Sequence, residues 1–218
     1  PYLLKNWDRD ARMDLAAHPR YAGPAPAIAR VVVLPIRSPQ TALEKLRAGE
    51  VHVLDHPSLA DVAALGRSSD PRILSCPSLN VCALGFNVRQ APYSDPRFRR
   101  AVSLALDRST LVALAYHGLA APAVHLVPPA VWKDLAPTPA YDHDREQATA
   151  LFEQLGLKGK TVELIHVAIA RPHLPEPARA AEWVQDQLRR CGLEVRLTAY
   201  DKSAYSQKTR DPAHPMFL

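Results

Sequence analysis

The chain of 218 residues is 47% hydrophobic and 22% charged, with a formal net charge of +5 and a mean hydropathy of −0.17. No stretch approaches the roughly 20 consecutive apolar residues of a membrane-spanning helix. The Lys and Arg side chains are scattered among Asp and Glu instead of alternating with aromatics in a tract, which argues against nucleic acid as a partner.

The opening segment, "PYLLKNWDRD", lacks the basic-then-apolar run and small-residue cleavage site of a secretory leader, so an exported protein would carry its leader outside this chain. "MDLAAH" and "ARVVVLPI" read as strands. Ser38 is placed to cap a helix through "PQTALEKLRA" that Gly49 closes, and "EVHVLD" reads as the next strand. Ser58 caps a short helix, "LADVAALG", and "RILSCP" reads as a strand again. This βαβ rhythm predicts a mixed α/β sheet over residues 1–80.

"VCALGFN" reads as a strand. Asp95 then stands where an N-cap accepts from the free N–H groups of the next turn, with Pro96 at the first helical position. Phe98, Ala101, Val102, Ala105 and Leu106 share one helical face, while Arg97, Arg99 and Arg100 take the solvent side. Asp107 starts a second helix whose apolar residues are Leu111, Val112, Leu114 and Ala115, with Gly118 as its stop. Residues 119–142 form a proline-rich connection without periodicity. Asp144 caps a helix with Ala148, Leu151, Phe152 and Leu155 on one face. "TVELIHVAIA", a helix over 177–191, and "LEVRLTAY" then make a βαβ unit.

No glycine-rich phosphate loop, G-x-S-x-G elbow, H-E-x-x-H or C-x-x-C motif is present. His52 and His56 lie four apart, but on a strand-like segment running into a proline, so they do not share a helical face; no metal and no other cofactor is expected. His117 reads as a helix-end histidine, and Asp144 and Glu146 as charges matched to a helix N-terminus. Cys76 and Cys82 are compatible with a bridge in an oxidising compartment or with buried thiols. An enzyme is poorly supported. One position stands out as a binding candidate against the plain reading of a surface arginine: Arg171 lies just past the end of "TVELIHVAIA", followed by a loop stiffened by prolines 172, 175 and 177. Ligands of open α/β sheets bind at the carboxyl ends of strands, and a guanidinium there can hold a carboxylate through two parallel hydrogen bonds.

The segments "PYLLKNW", "DLAAHPRYAGPAPAIARVVVLPI", "QTALEKLRAGEVHVLDH", "SLNVCALGFNVRQAPYSDPRFRRAVSLALDRSTLVALAYHGLAAPA" and "YDHDREQATALFEQLGL", taken in order, resemble the family 5 extracellular solute-binding proteins. These are receptors of ABC importers for peptides, nickel and glutathione. "DPRFRRAVSLALDR" is similar to the family's D-P-x-[VF]-R-x-A-x-x-x-A-[IL]-D-R signature, which the resemblance assigns to scaffold. "IARPHLPEPARAAEWVQDQLRRCGLEVRL" is most similar to the dipeptide-binding branch, in which the arginine matching Arg171 holds the ligand's carboxylate.

The resemblance implies an α/β, periplasmic-binding-protein-like (type II) fold, present in part. Residues 1–82 would be a segment of the main lobe and 83–218 most of the second lobe, with the solute clamped between the two. The chain would be a fragment, opening at the tail of the family's G-T-G-P-Y motif and stopping short of the stretch whose acid receives the ligand's amino group. The implied ligand contacts are Arg171, His173, Lys202 and Asn80. His173 and Lys202 replace aromatics of the branch, Tyr21-Ala22-Gly23-Pro24 replaces "YWGG", and His52 stands at the acidic position of "GEVD", so a ligand different from the branch's, or a degenerate pocket, is allowed. The implied function is the non-enzymatic receptor of an importer: a monomer at the periplasmic or extracellular face of the membrane, often a lipoprotein, binding a peptide-like solute for an ABC permease. The alternatives are the sensing domain of a transcription regulator and a metal or haem receptor of the same family.

Overall fold

The computed structural model describes residues 1–55, 57–66, 73–128, 130–132, 141–211 and 216–218. The chain divides into two units, Pro1–Ile73 and Leu74–Leu218.

The first unit opens with an antiparallel meander of β1 (Tyr2–Asp8), β2 (Arg12–Ala17) and β3 (Arg30–Val33). Its register runs Tyr2↔Ala17 to Asp8↔Arg12 and Met13↔Val33 to Ala16↔Arg30. β1 was not legible in the sequence. Its residues "YLLKNWD" show no clean alternation, and Leu4 and Trp7 are both more than half exposed. What forms the strand is the tight turn after it, where Asp10 takes φ 63, a backbone region that aspartate tolerates better than most residues. Two helices follow, α1 (Pro39–Arg47) and α2 (Leu59–Leu65). Ser38 Oγ accepts from the Thr41 amide at 3.3 Å, and Ser58 and Asp61 exchange bonds across a capping box.

The strands expected at "EVHVLD" and "RILSCP" are absent: residues 51–55 and 73–77 form no strand, and His56 and Arg72 lie outside the described residues. Val53 is 82% exposed and Leu74 81%. A short β-branched run expresses a readiness to pair, and no ladder meets it here. The βαβ rhythm expected for residues 1–80 is therefore replaced by a meander followed by two helices.

The second unit holds a four-stranded sheet in the order β4 (Gly85–Phe86), β7 (Met216–Phe217), β5 (Thr161–Val167), β6 (Glu194–Tyr200). β4 is antiparallel to β7, while β5 is parallel to both β7 and β6. Only Gly85 and Phe86 of the expected strand "VCALGFN" pair. β5 lies between two parallel neighbours, and its run from Leu164 to Val167 is buried without interruption, as interior parallel strands require. α6 (Pro177–Arg190) makes the crossover from β5 to β6. The expected boundary at 82/83 falls inside this unit, and both Cys82 and Leu84 pack against its core.

α3 (Pro96–Ala105), α4 (Arg108–Tyr116) and α5 (Arg145–Gln154) follow their aspartate caps as expected. The Asp95 side chain accepts from the Arg97 amide, Asp107 from Ser109 and Thr110, and Asp144 from Gln147. Phe98 is fully buried at the centre of an aromatic cluster, its ring 5.3 Å from Tyr93, 6.0 Å from Phe152 and 6.2 Å from Phe86. Two details differ from expectation. Leu114 is exposed because α4 buries a narrower stripe centred on Ala115. Arg99 is half-buried and donates to the carbonyls of Tyr93 and Ser94 instead of facing solvent. The three thiols are free: Cys191 is buried, Cys82 half-buried and Cys76 exposed, the last contrary to the buried-thiol expectation. The described parts of 119–142 contain neither helix nor strand. Among the described residues no helix is long and apolar enough to cross a membrane.

Candidate functional site

β5 and β6 run parallel and end in register, Val167 opposite Tyr200, and the Ala168 amide extends the pairing by donating to the Tyr200 carbonyl at 2.7 Å. The loops after both strands therefore leave the sheet at one edge. After β6, Asp201 caps a helix the sequence reading missed, α7 (Lys202–Lys208), accepting from the amides of Ser203 and Ala204 at 2.8 and 2.9 Å.

After β5 the chain makes a four-residue turn. The Arg171 amide donates to the Leu174 carbonyl at 2.9 Å, and the Leu174 amide returns a bond to the Arg171 carbonyl at 3.0 Å. Pro172 fits the first corner position of such a turn. Leu174 is 1% exposed and belongs to the core of the unit, so the turn is nailed down at its far end. Pro177 then opens α6.

This frame carries Arg171 half-buried, and its guanidinium has no hydrogen-bond or ion-pair partner among the described residues. His173, at the turn's tip, and Lys202, at the start of α7, are exposed at the same sheet edge. Asn80 is exposed, and its amide donates to Ser78 Oγ at 3.0 Å; no bond among the described residues joins it to the other three. Arg171, His173 and Lys202 thus follow the ends of two neighbouring parallel strands, whereas Asn80 precedes β4.

Contacts that the sequence does not signal surround the turn, one of them made by His117, which caps the end of α4 as read. The Tyr116 hydroxyl, at the end of α4, donates to the His173 carbonyl at 2.8 Å. His117 Nε2 lies 2.8 Å from Glu176 Oε1, and Arg179 Nη1 reaches Glu176 Oε2 at 3.2 Å. These neighbours, His117 first, hold the Glu176 carboxyl below its usual range. Burial, with Cys82 beside it, pushes the Tyr116 hydroxyl far up, so it remains a donor at any physiological pH. Burial also pushes the Cys82 thiol up. No local pattern signals these contacts, whose partners lie 57 and 59 residues apart.

The edge suits recognition of an anion, with one guanidinium fork and two further basic side chains. Among the described residues no group of three His, Cys, Asp or Glu side chains converges on a metal position; His52 is exposed and His56 lies outside the described residues. Two surface hollows lie away from the edge. One is lined by Arg145, Glu146, Glu153 and Arg190, the other by Pro92, Asp95, Arg97 and Leu157.

The model for "Bacterial extracellular solute-binding proteins, family 5 Middle" matches residues 1–218. The chain belongs to that family. Among its family 5 relatives is a dipeptide-binding protein of Escherichia coli strain K12, 28% identical over 215 residues, covering 98% of this chain and 40% of the relative. A dipeptide-binding protein from Pseudoalteromonas sp. SM9913, solved in complex with Met-Leu, is 24% identical with a TM-score of 0.75, over 100% of this chain and 43% of that one. An ABC transporter substrate-binding protein of Listeria monocytogenes reaches a TM-score of 0.89 at 21% identity, over 100% and 45%. The fold is the expected α/β, type II periplasmic-binding-protein architecture, and the chain spans about 40% of the length of the curated relatives it matches. The family's D-P-x-[VF]-R signature helix is α3, whose apolar residues lie in the core of the second unit.

Proposed function

We propose that this chain is the solute-holding part of an ABC-importer receptor, and that Arg171 clamps the carboxylate of a peptide-like solute. The observation that carries the reading is a half-buried arginine whose guanidinium has no intramolecular partner among the described residues. It stands on a turn closed by two backbone bonds, at the carboxyl edge of two parallel strands. Ligands of open α/β sheets collect at that edge, and a fixed guanidinium fork matches a carboxylate with two parallel, charge-assisted hydrogen bonds. The relatives named as dipeptide-binding proteins support this ligand class. His173 and Lys202 are the neighbouring contacts in this reading, with Asn80 as a further one. The unit Pro1–Ile73 is a segment of the main lobe, and Leu74–Leu218 most of the second. The receptor makes and breaks no covalent bond, binds as a monomer at the periplasmic or outer face of the membrane, and hands its solute to a membrane permease.

Isothermal titration of the intact protein with Met-Leu and with its C-terminal amide tests the proposal. Arg171→Ala should cost roughly 2–5 kcal/mol of Met-Leu affinity, as removal of one partner of a desolvated charge pair does, or about 30-fold to several thousand-fold in Kd. Arg171→Lys should recover part of the loss, since an ammonium cannot form the fork. The amide should bind weakly and be indifferent to Arg171→Ala. Arg190→Ala, which removes a surface partner of Asp186, is the control. Equal Met-Leu affinities for wild type and Arg171→Ala would refute the assignment.

A further inference from the structure

The C-terminus of α4 ends on an unusual backbone. His117 takes φ 50 and ψ 31, in the left-handed region, although the next residue is Gly118, also at positive φ. Histidine enters this region more readily than most residues, and a left-handed residue commonly ends a helix. Here the ring meets a partner across the loop: His117 Nε2 faces Glu176 Oε1 at 2.8 Å. Glu176 is itself diverted. It occupies the N-cap position of α6 but makes no side-chain cap bond to its own helix, its carboxylate instead meeting His117 and Arg179. One residue earlier on α4, the Tyr116 ring packs against the core while its hydroxyl donates to the carbonyl of His173, the residue at the tip of the Arg171 turn. Two consecutive residues thus hold the 171–176 loop at its tip and at its entry into α6.

We propose that Tyr116 and His117 are positioning residues for Arg171, bracing its loop from outside so that an incoming carboxylate meets a guanidinium whose backbone is already fixed. The inference rests on the reading of Arg171 as the carboxylate clamp. Its physical basis is preorganisation: a loop held before binding loses less freedom on binding, and the saving appears as affinity. Neither residue touches the ligand in this account. Both act through Arg171.

The test has a binding arm and a ligand-free arm, both on the intact protein. In titrations with Met-Leu, Tyr116→Phe should weaken binding about 3- to 10-fold, the worth of one neutral hydrogen bond. His117→Gly should weaken it by a similar factor while leaving the melting temperature unchanged or raised, because glycine relieves the left-handed backbone. A merely structural role for His117 predicts the opposite pairing, a lower melting temperature with affinity lost in proportion. In the Arg171→Ala background both substitutions should have no further effect on Kd. In the ligand-free arm, hydrogen exchange at the Arg171 and Leu174 amides should be faster in Tyr116→Phe than in wild type. Wild-type affinity in Tyr116→Phe and His117→Gly, with Arg171→Ala still impaired, would overturn the brace and leave the clamp standing. Unimpaired binding by Arg171→Ala would overturn the clamp and the brace's role in binding together. Unchanged exchange at both amides would overturn the brace whatever the ligand does.

Discussion

Leu174 links the stability of the second unit to the geometry of its binding edge, and Leu174→Ala measures that link. The side chain is 1% exposed and packs in the core. Truncation removes three buried carbons, worth about 0.8 kcal/mol each in transfer free energy, or roughly 2.4 kcal/mol. The cavity left behind adds to this, and buried leucine truncations fall at about 2–5 kcal/mol. A loss of about 3–4 kcal/mol is expected, which at roughly 2–4 °C per kcal/mol for a chain of this size lowers Tm by about 6–16 °C. Urea and thermal unfolding followed by far-UV circular dichroism read the effect. Ile169→Ala, five residues upstream at a site 51% exposed, is the matched control and should stay within about 0.5 kcal/mol of wild type. If Leu174→Ala melts within 2 °C of wild type, the turn is not anchored by this side chain, and the account of a rigid Arg171 frame loses its foundation.

Two further outcomes follow from particular contacts. The guanidinium groups of Arg12 and Arg30 hold the Asp14 carboxyl at about 2, below its ordinary 3.8, chiefly through hydrogen bonds. A depressed carboxyl contributes stability that is complete above its unfolded value and is lost as pH falls toward its folded one, so the β1–β2–β3 sheet should weaken between about pH 4 and pH 2. Carboxyl titration by NMR checks this, and an ordinary Asp14 midpoint, unmoved by Arg12→Ala, would contradict it. Gly85 is required by close approach: a Cβ there would lie 2.2 Å from the Phe217 ring. Gly85→Ala must push that ring off β4 and should cost about 1–3 kcal/mol in urea unfolding; a neutral substitution would show that the β4–β7 pairing does not depend on the contact.

What the sequence determined by itself was local. The caps Ser38, Ser58, Asp95, Asp107 and Asp144 all form as read, because a capping side chain and the amide it satisfies lie two or three residues apart. The βαβ passage over 161–200 was legible for a related reason: two β-branched and aliphatic segments flank a helix with an apolar face, each recognisable from contiguous residues. The arginine beyond β5 could be singled out because strand, arginine and prolines are contiguous. The tertiary structure decided everything that needed a partner distant along the chain. "EVHVLD" resembles a strand yet has no ladder, while the unpromising "YLLKNWD" gains one from its hairpin turn. β7 is two residues long and exists only because Phe86 and Ile165 stand beside it. The brace on the Arg171 loop is of this kind as well. Tyr116 and His117 end one helix and His173 and Glu176 precede another, and packing of those helices in one core, not any spacing in the sequence, brings a hydroxyl and an imidazole within 2.8 Å of the loop.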